Sequence, residues 1–399
     1  MKILITTDAY EATINGVAVS VKTLSASLKE AGHDVRILTL SQTHQSYQKD
    51  GIYHIGSVPL EIYPQTRAAF VLPNDFLDEI IAWQPDIIHS QSEFFTFVFA
   101  RKLSRILQIP IVHTYHTLYE YYTHYFCPNK KIGQKIVSIG SKYICRHTDA
   151  VIAPTKKTAD ILKNYKIDTP ISIIPTGLSL ERFQTSSKQM DFCKRKLQLG
   201  IPENVPVLIT LGRLAREKNI DFLLKQMTAP ALRKTHAHLV IVGDGPDRER
   251  LESIAHQLHL RDTVHFTGMV TPDEVGNYYR IGDIFVSASQ SETQGLTYIE
   301  AMASGLPLLC RKDSCLDSVL IEGKNGYTFT SEEEFIENFF RIYQSQVSLN
   351  KLSKNAYQTA ALFSKEQFVQ RVISLYKDVI IAKEAAEKCT RFACILKQI

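Results

Sequence analysis

The chain has 399 residues, of which 44% are hydrophobic and 22% charged, and its formal net charge is +5. That length exceeds one ordinary core and argues for two domains, and the composition is that of a soluble globular protein. So small a positive excess argues against a general nucleic-acid binder.

Residues 2–6 read as a buried strand, closed by Thr and Asp8. No leader-like segment precedes it, so no signal peptide is expected. No uninterrupted apolar run approaches the roughly 18 residues of a membrane span. A polar loop ending in Gly16 follows. Val17, Val21, Leu24 and Leu28 then recur at helical spacing up to Gly32, and residues 35–40 make the next strand. This βαβ opening is Rossmann-like, with Gly16 at a helix N-terminus, but it lacks the dinucleotide fingerprint. A strand at 86–89, a helix at 94–107 and a strand at 110–113 continue the alternation.

The last of these strands ends in HTYHTLYEYYTHY, residues 113–125, with His113, His116 and His124 among five tyrosines. Strand C-terminal ends are where α/β folds bind ligands, so one or two of these side chains are expected in a site and the others in structural hydrogen bonds. Residues 128–147 carry Lys130, Lys131, Lys135, Lys142 and Arg146 and no acid. Ile132, Ile136, Ile139 and Tyr143 fall between them at helical spacing. Such a helix either rests on an anionic membrane surface or packs its apolar side on the core.

Strands at 150–153 and 171–174 complete the first half. A polar stretch at 183–206, with glycine and prolines at its end, reads as the boundary. A second βα series then restarts, with strands at 207–211, 239–242, 264–266, 283–288, 308–311 and 326–329. Ser364 and Gln367 form a capping-box pattern opening a long terminal helix with a basic tail. The domains expected are 1–185, 186–363 and a terminal segment, 364–399, crossing back to the first. Seven cysteines are scattered without a C-x-x-C pair, which disfavours zinc and redox chemistry and points to a reducing cytosol.

The richest stretch is SQSETQGLTYIEAMASG, residues 289–305. An apolar strand leads into a polar turn with Gly295, then a helix closed by Gly305. Helix N-termini at a sheet's C-terminal edge bind anions, phosphates above all. Glu292 and Glu300, eight positions apart, flank that point with groups suited to hydroxyls. An anion plus hydroxyls suggests a sugar nucleotide. Arg213 and Lys218, in the basic loop after the strand at 207–211, suit a diphosphate. The GDGPD turn at 243–247 reads as a tight turn rather than an aspartate pair for a metal.

Glu292-x7-Glu300, Gly212-Arg213 with Glu217-Lys218-Asn219, the Gly243-Asp244-Gly245-Pro246 turn and the Gly16 loop together resemble the family 4 retaining glycosyltransferases. SETQGLTYIEA at 291–301 and the string at 113–125 are similar to those of bacterial diacylglycerol glucosyltransferases. The resemblance implies an α/β chain of two Rossmann-like parallel-sheet domains facing across a cleft, the GT-B fold. It implies transfer of glucose from UDP-glucose to the 3-hydroxyl of 1,2-diacylglycerol with retention, without a metal, by an enzyme peripheral on the cytoplasmic face of the membrane.

Residue by residue, the resemblance implies Gly16 at the donor phosphates and His116 at the sugar near the reacting carbon. Arg213 and Lys218 would hold the diphosphate, and Gly268, Met269 and Val270 would meet the base. Glu292 would lie at the sugar, with Gln294, Gly295 and Leu296 around it, and Glu300 at the ribose. Lys130, Lys131, Lys135, Lys142 and Arg146 would face anionic lipid. An α-galactosyltransferase, an enzyme extending a preformed glycolipid, and a non-hydrolysing sugar-nucleotide epimerase are the rival activities. A silent membrane-docking protein is disfavoured by the presence of both glutamates.

Overall fold

The structure is a computed structural model that describes residues 1–10, 16–60, 66–123, 126–184, 196 and 198–396, with backbone alone for 387 and 390–396. The chain divides into two units, residues 1–177 with 365–399, and residues 178–364. His124 and the loop before Gly16 lie outside the described residues.

The first unit is built on an eight-stranded sheet. Its strands are β1 (Lys2–Thr7), β2 (Asp34–Leu40), β3 (Tyr47–Lys49), β4 (Ile52–Ile55), β7 (Ile87–Ser90), β8 (Ile111–Thr114), β9 (Ala150–Ala153) and β10 (Ile171–Ile173). They run in the order β10-β9-β8-β7-β1-β2-β4-β3, parallel except for β3. A small ribbon of β5 (Val58–Pro59) and β6 (Arg67–Ala68) stands apart. The helices are α1 (Gly16–Glu30), α2 (Asn74–Trp83), α3 (Phe95–Leu107), α4 (Lys130–Cys145) and α5 (Lys156–Asn164).

Strands buried on both faces read as apolar runs, and here alternate residues serve two cores. Ile3, Ile5, Ile87 and Val112 pack with Val21 and Leu24 of α1 and with Val372 and Tyr376 of the terminal helix. Leu4, Ile88 and Ile111 pack on the other side with residues of α2 and α3, including Ile80, Ala100 and Leu103.

The second unit starts before the polar stretch expected to hold the boundary. Its first helix, α6 (Glu181–Gln184), buries Phe183 against Tyr279. Its sheet is wholly parallel: β11 (Val207–Leu211), β12 (His238–Val242), β13 (Val264–Gly268), β14 (Ile284–Ser287), β15 (Leu308–Arg311) and β16 (Gly326–Phe329). The order is β13-β12-β11-β14-β15-β16, the doubly wound Rossmann order. Its further helices are α7 (Ile220–Gln226), α8 (Pro230–Arg233), α9 (Arg248–Gln257), α10 (Val275–Tyr279), α11 (Leu296–Ala303), α12 (Glu332–Tyr343) and α13 (Gln346–Ala360). The final helix, α14 (Lys365–Leu396), belongs to the first unit, where Tyr376 and Val372 are fully buried.

Each sheet has a point where chain order reverses, between β1 and β7 in the first and between β11 and β14 in the second. Connections leave such a point in opposite directions. A crevice opens there, beyond the strands' C-terminal ends.

Candidate active site

The second unit's crevice is framed by the loops after β11 and β14. The β11 loop turns through Gly212, whose amide donates to the Val242 carbonyl. Gly243 must be glycine: a Cβ there would sit 2.1 Å from the Gly212 oxygen. The Leu214 amide donates to the Asp244 carbonyl and the Gly243 amide to that of Gly268, so main-chain bonds join the loops after β11, β12 and β13. Asp244 accepts from Arg248 at 2.8 Å, and Asp247 is forked by Arg250 at 2.7 Å, so each aspartate of the turn has its own arginine. Met269 is largely exposed beside Gly268 and Val270.

Across the switch point, Asn219 adopts a left-handed conformation and its side-chain amide donates to the Ala288 carbonyl at the end of β14. That bond brings the two loops together. Lys218 Nζ donates to Glu292 Oε1 at 2.5 Å, and Arg213 pairs with Glu217 at 2.6 Å. Gly295 caps α11 with φ 72°, and a Cβ there would overlap the Tyr298 ring at 2.4 Å. Gln294 is buried, and Leu296 is half-buried at the first turn.

Glu300 lies on α11 and is largely buried. Its Oε2 accepts from Tyr279 at 3.0 Å, and Arg182 stands 3.7 Å from Oε1. Burial raises its pKa, partly offset by Arg182 and the Tyr279 hydroxyl. The geometry thus brings Arg213, Lys218, Glu292, Gly295 and Glu300 onto two adjoining loops and the helix that follows. Two cations, a helix N-terminus and two carboxylates suit an anionic ligand rich in hydroxyls.

In the first unit, strand alternation sorts the histidines. His113 points to the side of α3, contacts the Phe97 ring edge-on, and is fully buried with Ser90 Oγ at 3.3 Å. His116 follows on the opposite face and is partly exposed. Its Nε2 lies 2.6 Å from Gln91 Oε1. Burial, with a smaller contribution from His113, lowers its pKa to about 3, so the ring is neutral at physiological pH. Gly16 is exposed at the start of α1.

The sequence reading passed over Asp8, His89, Gln91 and Glu93. Asp8 leaves β1 at the switch point and accepts from the Thr96 amide at 2.8 Å, at the N-terminus of α3. Burial raises its pKa to about 6 despite that bond, with Glu93 adding to the rise. Glu93 Oε2 accepts from Tyr119 at 2.8 Å, and its Oε1 lies 3.6 Å from His113 Nε2. Asp8 Oδ2 and Glu93 Oε1 are enclosed without a hydrogen-bond partner among the described residues. The available signal was the polar run SQSE directly after an apolar strand.

Helix α4 is capped by Asn129, which accepts from the Lys131 and Ile132 amides. It packs through Gly133, Val137, Ile144 and Cys145. A Cβ on Gly133 would meet Thr123 at 2.7 Å, so the approach is close. The regularly spaced apolar residues lie on the other side: Ile132, Ile136, Ile139 and Tyr143 are 54, 53, 61 and 53% exposed. Lys130, Lys131, Lys135 and Arg146 are exposed beside them, and Lys142 is half-buried. The core-packing alternative for this stripe therefore does not hold. Helix α3 adjoins it, with the Arg101 guanidinium 5.1 Å from the Tyr143 ring and with Val98 and Ile106 exposed. Among the described residues no helix is long and apolar enough to cross a membrane.

Two family models match the chain: Glycosyltransferase Family 4 over residues 14–182 and Glycosyl transferases group 1 over residues 192–359. The chain is 34% identical to an alpha-monoglucosyldiacylglycerol synthase of Streptococcus pneumoniae, covering 96% of this chain and 87% of the relative. It is 32% identical to the synthase of that name from Acholeplasma laidlawii, covering 95% and 98%. Among solved structures, Anabaena HepE in complex with UDP and glucose superposes with a TM-score of 0.74 at 16% identity, covering 95% of this chain and all of that one.

Proposed function

The chain belongs to the family 4 glycosyltransferases, with the GT-B fold, and from that premise we propose that it transfers glucose from UDP-glucose to the 3-hydroxyl of 1,2-diacylglycerol, with retention, at the cytoplasmic face of the membrane. The names of the two synthases support glucose and diacylglycerol. The observation that carries the lipid part is the outward face of α4, four half-exposed apolar side chains beside five cations. A soluble sugar-nucleotide epimerase has no use for such a face. A helix of this kind buries its apolar side at the headgroup boundary while its cations meet anionic lipid. Arg101 of α3, against the Tyr143 ring, adjoins that surface.

In this reading Gly268, Met269 and Val270 meet the base through the main chain, and Glu300 accepts from the ribose hydroxyls. Arg213, Lys218, the α11 amides at Gly295 and Leu296, and Gly16 hold the diphosphate, with Gln294 beside them. Before the donor arrives, Lys218 and Arg213 rest on Glu292 and Glu217, so the site holds its cations without leaving them unpaired. His116 and Glu292 meet the sugar.

As the bond from C1 to the phosphate oxygen breaks, negative charge grows on the diphosphate and positive charge on the sugar ring. Preorganised cations and amides stabilise the first and the Glu292 carboxylate the second. In this reading Lys218 holds the diphosphate while staying against Glu292, and a carboxylate so paired is a weakened nucleophile, which favours same-face attack over a covalent intermediate. The acceptor oxygen bonds to C1 on the face the leaving group vacates, and its proton passes to the departing phosphate oxygen. Arg213, Lys218 and the helix amides supply the positive charge, so the reading requires no divalent metal and expects full activity in EDTA.

The test offers UDP-glucose and UDP-galactose in parallel, with diacylglycerol in anionic vesicles, and identifies the lipid product and its anomer. An α-glucosyl lipid is expected. A galactosyl product, transfer only to a preformed glycolipid, or an epimerised nucleotide without lipid product each overturns the reading in a different part.

A further inference from the structure

A chain of buried hydrogen bonds ends on His116. Tyr376 Oη, from α14, lies 2.6 Å from His89 Nδ1. His89 Nε2 lies 2.9 Å from Gln91 Nε2 and 2.7 Å from Thr114 Oγ1. Gln91 Oε1 lies 2.6 Å from His116 Nε2. Strand alternation explains the alignment: His89 and Gln91 share one face of β7 and its extension, and Thr114 and His116 share the same face of β8 and its extension. Tyr376, His89, Gln91 and Thr114 are all buried.

The Gln91 amide gives the chain a direction. In the amide orientation found, its nitrogen donates to His89 Nε2, which Thr114 Oγ1 also meets, so the His89 proton sits on Nδ1 and is donated to Tyr376 Oη. Its oxygen can only accept, so His116 carries its proton on Nε2. The His116 Nδ1 is then a bare lone pair, and it has no hydrogen-bond partner among the described residues.

We propose that Gln91, His89 and Tyr376 are positioning residues that fix the tautomer of His116, so that Nδ1 is presented as a neutral hydrogen-bond acceptor for a hydroxyl of the transferring sugar. The proposal rests on the reading that His116 meets the donor sugar. Burial lowers the pKa of both His89 and His116, with His116 and His113 adding to the fall at His89 and His113 to that at His116. The other groups facing them are the neutral Thr114 hydroxyl and, beyond His113, the Glu93 carboxylate with Asp8 near it. A protonated His116 could only donate, so the neutral chain keeps the acceptor available. It also gives α14 a task in the chemistry: the last helix of the chain reaches the active-site histidine through three hydrogen bonds.

Two measurements test this. The first is imidazole nitrogen NMR of the wild-type protein, with the His116 signals assigned by their loss in His116→Ala. A neutral ring protonated at Nε2 is expected from pH 6 to 8; the opposite tautomer, or a charged ring, overturns the proposal. The second is the pH profile of kcat for Gln91→Glu. A carboxylate still accepts from His116 Nε2 but holds it as an imidazolium. An acid limb should therefore appear between pH 6 and 8, falling about tenfold per pH unit, with KM for the donor within about twofold of wild type. A folded variant with the wild-type profile overturns the proposal. If thermal melts show that Gln91→Glu does not fold, Tyr376→Phe decides: a kcat about fivefold lower at unchanged KM, with mixed tautomers, is expected, and wild-type values overturn it. His116→Ala separates the two levels. Near-normal turnover there removes the role of His116 itself, whereas an inactive His116→Ala beside a wild-type-like Gln91→Glu removes only the chain.

Discussion

Replacing Ile132, Ile136 and Ile139 of α4 by serine removes the centre of the proposed lipid-facing stripe while leaving every cation in place. Each of these side chains already exposes about half of its surface. Full burial of an isoleucine is worth about 1.5–3 kcal/mol, so inserting the exposed half is worth about 1 kcal/mol per residue, or about 3 kcal/mol for three. At 1.4 kcal/mol per factor of ten, partition onto vesicles should weaken by about two orders of magnitude. Serine and isoleucine are close in helix propensity, and none of the three side chains is buried in the core, so Tm should stay near wild type.

Co-sedimentation with vesicles containing anionic phospholipid measures the first quantity and a thermal melt the second. The companion variant, Lys130, Lys131 and Lys135 each to Glu, should also lose binding, by about 1 kcal/mol or more per residue. Its wild-type counterpart should detach with rising salt, since surface charge is screened within about a Debye length. Unchanged sedimentation of the serine variant refutes the reasoning. So does a large fall in Tm, since it would mean that the stripe packs inside the protein.

Glu300→Ala should raise the Kd for UDP-glucose at least tenfold, because hydrogen bonds to a charged group contribute roughly 1.5–3 kcal/mol each; calorimetric titration giving wild-type affinity removes its ribose role. Gly295→Ala forces a left-handed residue to carry a Cβ into the Tyr298 ring, and with the backbone term alone at about 1–2 kcal/mol it should lower both Tm and donor affinity; a variant wild-type in both contradicts the assigned cap. Asp8 binds its proton more tightly in the folded state, at about 6 against 3.8, so its contribution to stability is lost as pH rises through that window and stays lost at pH 7. Asp8→Asn should therefore be more stable than wild type at pH 7 by on the order of 3 kcal/mol, with the gap closing below about pH 4. Denaturant melts at the two pH values decide it, and a less stable variant at pH 7 rules out a strained carboxylate.

Much of the proposed donor site was legible as a cluster because its parts are local. Gly295, Glu292 and Glu300 sit within one strand–turn–helix, and spacing alone puts a carboxylate on each side of a helix N-terminus. Arg213 and Lys218 were legible as cations in a loop after a strand, but not as neighbours of Glu292. That proximity comes from β11 pairing with β14, strands whose first residues are 77 positions apart, and from the Asn219–Ala288 bond. The outward side of α4 was not legible either. A stripe at helical spacing reads the same whether it meets a core or a membrane, and the decision fell to Gly133, Val137, Ile144 and Cys145, which hold the opposite side to the protein.

The sequence by itself determined the alternation of strands and helices, the two parallel sheets and the family, because short apolar runs, glycine stops and the signature strings are local features. Tertiary structure decided which loops adjoin, which histidine is fully buried and which is partly exposed, and that Tyr376 lies within hydrogen-bond distance of His89, 287 positions away. Those outcomes depend on strand order and on the period-two alternation of the sheet. A shift of one residue in register would exchange His113 with His116, and no local propensity fixes that register.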